Sequence, residues 1–62
     1  MILDRILAEL DSRCEELASA VRHYAAKRDR RNAFASWYAL QEARLTRDCI
    51  RRMVERSERR AA

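Results

Sequence analysis

The chain has 62 residues, no Gly, no Pro, two Cys and a formal net charge of +4, with 39% of its residues charged. A chain this short buries only about 60% of its unfolded surface, which limits it to one small domain with a thin core. Without Gly or Pro, β-hairpins and tight turns lack their usual residues, whereas Ala, Leu, Arg and Glu favour helix, so the expected class is all-α.

The N-terminal stretch Met1-Ile2-Leu3 is followed at once by Asp4 and Arg5, which argues against the apolar region of a signal peptide. No apolar run approaches the roughly 20 residues that span a bilayer. From Leu3 the pattern is a heptad: Leu3, Leu7, Leu10, Cys14, Leu17, Val21 and Tyr24 recur at alternating steps of four and three. That spacing is the seam of a packed helix. Ile6, Ala18 and Ala25 widen the seam toward the face of a bundle helix. Asp4 suits the positive end of the helix dipole, and Lys27 and Arg28 suit the negative end. The first helix is expected over residues 3–28.

The junction Asp29-Arg30-Arg31-Asn32 is the one break candidate, because Asp29 or Asn32 can cap a following helix. A single continuous helix is the rival. It is disfavoured because the first seam would next meet Arg28, Arg31 and Ala35, and because an aromatic cluster starts afresh after Asn32.

The second helix is expected over residues 33–57, followed by a frayed basic tail. Its expected apolar face is a broad arc containing Phe34, Ala35, Tyr38, Ala39, Ala43, Leu45, Cys49, Ile50, Met53 and Val54. Glu42 and Thr46 fall inside that arc, while Ala33, Trp37 and Leu40 fall outside it. The expected fold is an antiparallel two-helix hairpin turning near residue 30. In that register Cys14 lies near Arg47 to Cys49, Val21 near Ala39 and Leu40, and Tyr24 meets Trp37 and Tyr38. Because the arc is wider than one helix covers, the hairpin is expected to complete a bundle with a partner or a second copy.

Charge divides along the chain. Residues 1–26 hold five acids and three Arg, a net −2, and residues 27–62 hold eleven bases and five acids, a net +6. Arg44, Arg47 and Arg51 form a stripe on what is expected to be the outward side of the second helix, as a solvated face, an acidic-partner site or an RNA contact. RNA ranks low, because Asp48 and Glu55 interleave the stripe and nucleic-acid surfaces carry few acids. Membrane binding ranks lower still.

Cys14 and Cys49 come out level in the hairpin and are expected as two small core residues in a reducing, cytoplasmic setting, with a cross-helix disulfide as the alternative. The lone His23 falls opposite the seam and lies level with neither Cys, and Glu42 is expected at a boundary beside an Arg. No catalytic, cofactor or metal constellation emerges. The expected function is therefore protein binding. Phe34, Trp37, Tyr38, Leu40 and Met53 are the candidate partner-binding residues, since aromatic side chains anchor interfaces.

Across residues 17–54 the chain resembles the small "E" co-chaperones of bacterial type III secretion needle subunits. The resemblance rests on a Leu-rich first helix (Leu17, Ala20, Val21, Tyr24) and a charged turn. It adds a second helix opening with Phe34 and Trp37, and an aliphatic patch at Ile50, Met53 and Val54. It implies a helical hairpin that pairs with a tetratricopeptide-like partner, the two together keeping a needle subunit soluble in a heteromeric complex. In shape alone the hairpin also resembles the RNA-regulating Rop protein, a homodimeric four-helix bundle, which implies the alternative of RNA binding through Arg44, Arg47 and Arg51. A plain oligomerisation module is the remaining alternative.

Overall fold

In the computed structural model, which describes residues 2–61, the chain is an all-α antiparallel hairpin. Helix α1 spans Ile2–Ala26 and helix α2 spans Arg30–Ala61. The shape is a rod of 50 × 15 × 12 Å.

The connection is tighter than the sequence suggested. Only Lys27, Arg28 and Asp29 separate the helices. Arg28 adopts φ 58°, the left-handed conformation. The Asp29 amide donates to the Tyr24 carbonyl (2.9 Å) and the Arg28 amide to the Ala25 carbonyl (3.0 Å). These two crossed bonds form a Schellman motif, which occupies carbonyls that the end of α1 would otherwise leave unpaired. Glycine normally takes the left-handed position, and here an arginine does.

Asp29 then starts the next helix. Its Oδ1 accepts from the Asn32 amide (3.3 Å), and its Oδ2 accepts from Asn32 Nδ2 (2.7 Å). The Ala33 amide donates to the Asp29 carbonyl (2.9 Å), the first bond of the helical ladder. Of the two candidate caps, Asp29 is the cap itself and Asn32 is the residue it binds. α1 therefore ends two residues before the expected boundary, and α2 begins three residues before it. α2 also continues helical past residue 57 to Ala61, so the expected frayed tail is regular backbone.

The short connection moves the register by nearly one helical turn. Cys14 packs with Leu40 and Ala43, with Leu17 and Ala18 against them, earlier along α2 than the expected Arg47 to Cys49. The face of α2 that meets α1 shares only Ala43, Ile50 and Val54 with the expected arc. Leu40, Ala43 and Val54 are buried, Ala33, Ser36, Arg47 and Ile50 are half-buried, and these seven positions recur at alternating steps of three and four. The seam of α2 is thus a second heptad, made mostly of small or polar residues. The reason is geometric. α1 contributes Leu, Val and Tyr along most of its seam, where Ala33, Ser36 and Ala43 of α2 permit close approach, and Leu40 of α2 packs against the small Cys14 of α1.

Candidate functional site

The seam fixes what α2 shows to the outside. Large hydrophobic residues at Phe34, Trp37, Tyr38, Leu45 and Met53 remain 46–68% exposed. At 100° per residue, Phe34, Tyr38 and Leu45 lie close together on the side of α2 opposite the seam, with Met53 and Trp37 on its two flanks. The outer side of α2 is thus apolar from Phe34 to Leu45, and beyond it the exposed Arg52 and Arg56 take over the same side.

The candidate partner-binding residues divide accordingly. Phe34, Trp37, Tyr38 and Met53 are exposed and available to a partner. Leu40 is not. At 5% exposure it is the most buried core side chain described, and it belongs to the hairpin rather than to a docking face. The expected place of Phe34 and Tyr38 on the arc that packs, with Tyr38 meeting Tyr24, is corrected in the opposite sense. Both point outward, and the ring in edge contact with Tyr24 is that of the exposed His23 (5.3 Å). Both corrections have one cause: the inner face of α2 is centred near Leu40 and Arg47, on the side opposite Phe34, Tyr38 and Leu45.

Phe34 and Trp37 are one helical turn apart, with ring centroids 6.0 Å apart and planes tilted by 32°. They border an open groove of about 590 Å³ at the closed end of the hairpin. Val21 and Ala25 of α1 and Ala33 of α2 line it as well, and Arg28 and Arg30 complete the lining.

The Arg stripe is also re-placed. Arg47 sits in the seam rather than on the outward side, with its side chain 22% exposed. Its Nη1 lies 3.8 Å from Asp11 Oδ1 on α1, and its Nε lies 3.3 Å from Asp48 Oδ1. Arg51 Nη2 reaches the same Asp11 oxygen at 3.7 Å. The two interhelical distances exceed hydrogen-bond length, so the contact is charge attraction across the helix pair, worth up to about 1 kcal/mol at such exposure. Arg44 is exposed beside a shallow cleft that includes Asp11 and Glu15. The stripe therefore flanks the interface between the helices and answers the acids of α1.

Glu42 and Thr46, expected inside the apolar arc, are both exposed, and Thr46 Oγ1 donates to the Glu42 carbonyl (3.1 Å). Cys14 is buried, Cys49 is exposed, and both thiols are free. The expectation that both cysteines belong to the core holds for Cys14 only. A thiol reagent added to the native protein should modify one cysteine rapidly and the second only on unfolding. Cys49→Ser should remove the fast reaction, and equal rates for both thiols would contradict the burial of Cys14.

Among the described residues no group of three or more His, Cys, Asp or Glu side chains could hold a metal ion. No described helix is long and apolar enough to cross a membrane. No protein-family model matches this chain, and comparison with curated proteins and with solved structures gives no significant match.

Proposed function

We propose that the chain is a non-catalytic, cytoplasmic protein–protein interaction module whose docking surface is the outer face of α2. The observation that carries this reading is the set of large hydrophobics on α2 that the hairpin leaves uncovered: Phe34, Trp37, Tyr38, Leu45 and Met53. Surface area supports it. The chain exposes 5347 Å², whereas a compact monomer of its 7.4 kDa mass would expose about 4,200 Å². The surplus of roughly 1,100 Å² is comparable to the ~800 Å² that each partner contributes to a standard interface.

Within that role, the co-chaperone of a secretion needle subunit is the sharper form of the proposal. Exposure of Phe34 and Trp37, two of the residues on which the resemblance rests, supports it, because it leaves both rings available to a partner. Homodimerisation into a bundle is the alternative. RNA binding through the Arg stripe has less support, because Arg47 and Arg51 already face Asp11.

The test is mass by light scattering and thermal melting over a range of concentration and salt. The wild-type chain should associate as concentration rises, more so in high salt, which screens the cationic α2 of one copy from that of another. A Phe34→Ser, Trp37→Ser, Tyr38→Ser variant should keep the helical far-UV signal and lose the association. A wild-type chain that stays monomeric and melts cooperatively at one temperature at every concentration sinks the proposal. Co-expression with a tetratricopeptide-like protein tests the sharper form, with formation of a stable complex as its expected result.

A further inference from the structure

The groove at the closed end of the hairpin combines two chemistries. Val21, Ala25, Ala33, Phe34 and Trp37 give it an apolar lining, and the exposed Arg28 and Arg30 add two cations. Neither guanidinium has an ion-pair partner among the described residues. The one acid between them, Asp29, has both carboxylate oxygens engaged by Asn32. A groove of this kind favours an occupant that brings apolar side chains and carboxylates together.

We infer that this groove docks an acidic amphipathic helix of another protein, its apolar side chains between Val21 and the Phe34–Trp37 pair and its flanking carboxylates on Arg28 and Arg30. The inference rests on the docking role proposed above and adds the chemistry of the partner. A helix suits the site because an open apolar groove is matched by apolar residues recurring at i, i+3, i+4 and i+7. The charge of α2 ranks an acidic partner above a second copy, whose pairing through the same helix depends on salt to screen it. Residues 30–61 carry nine Arg against four acids, so apposing two such helices sets like charges against each other, and like-charge juxtaposition suppresses wrong partners.

Trp37 is the only tryptophan in the chain, so its emission reports the groove directly. The probe is a synthetic amphipathic peptide of about 18 residues, long enough to sustain a helix, with Leu along one face and Glu and Ala elsewhere. A second peptide replaces every Glu with Lys. The Glu peptide should shift Trp37 emission to the blue saturably, and the Lys peptide should bind at least about tenfold more weakly. An Arg28→Glu, Arg30→Glu chain should invert the preference. Arg30→Glu alone, which places an acid in the first turn of α2 where the dipole favours it, should narrow it and secures the comparison if the double variant folds poorly. Equal binding of the two peptides, an unchanged preference in the charge-reversed chains, binding that leaves Trp37 emission unmoved, or no binding of the Glu peptide each overturns the inference. If the Ser variant loses self-association while the Glu peptide fails to bind, the docking face stands and its acidic partner falls. If the Ser variant behaves as wild type, both fall.

Discussion

Leu40→Ala should destabilise the hairpin by about 2–3 kcal/mol, toward the lower end of the range for buried Leu truncations because the core is only two helices thick. Leu40 is 5% exposed and meets Cys14 and Ala43 at the centre of the seam. Proteins of this length are stabilised by only about 3–9 kcal/mol in total. The substitution should therefore remove a large part of the stability and bring the thermal midpoint down sharply. Leu45→Ala is the matched control. Leu45 is 68% exposed, so its truncation should change stability by no more than about 0.5 kcal/mol. Chemical denaturation of the two variants decides which face of α2 is the core. If Leu45→Ala proves the costlier, the seam described here is wrong.

Arg28→Gly should stabilise the chain by about 1 kcal/mol. Arg28 holds the left-handed position of the Schellman motif at φ 58°. For a residue with a Cβ that conformation costs roughly 1–2 kcal/mol, part of which is offset because Gly gives up more freedom on folding. In a domain of this size a gain of 1 kcal/mol raises the thermal midpoint by about 4–8 °C. Arg28→Val should move it the opposite way, because a β-branched side chain fits that conformation worse than an unbranched one. A midpoint that does not move in either variant would mean that the connection relaxes out of this geometry. Arg28 also lines the proposed docking groove, and a role there accounts for an arginine at a position where Gly would be more stable.

Much of the architecture was legible in the residues. Seven regularly spaced apolar positions from Leu3 to Tyr24 specify α1 and its inner face, and the break at Asp29 follows from a short side chain able to cap a helix. The face of α2 was not legible by size. Its inner positions are Ala33, Ser36, Leu40, Ala43, Arg47, Ile50 and Val54, and only three of these are sizeable apolar residues. The signal was the three-and-four spacing itself, counted in both directions from Leu40. Weighting by hydrophobicity drew attention instead to Phe34, Tyr38, Leu45 and Met53. Arg47 was not legible as an inner residue either, since a guanidinium reads as a surface group and only the packing of the helices sets it facing Asp11. The candidate anchors Phe34, Trp37, Tyr38 and Met53 were identified by type, and their exposure came only with the fold.

By itself the sequence determined that this chain is helical, that it folds back near residue 30, and that its two halves carry opposite charge. Those properties follow from local propensity, capping and composition, which act between neighbours along the chain. Tertiary structure decided the rest: which side of α2 faces inward, that Arg28 closes the first helix in a conformation usually left to Gly, and that the aromatics of α2 lie outside. These are set by the close approach of two helices. The seam packs Leu40 of α2 against the small Cys14 of α1 and sets Ala33, Ser36 and Ala43 around it, while Phe34, Tyr38 and Leu45 stay exposed.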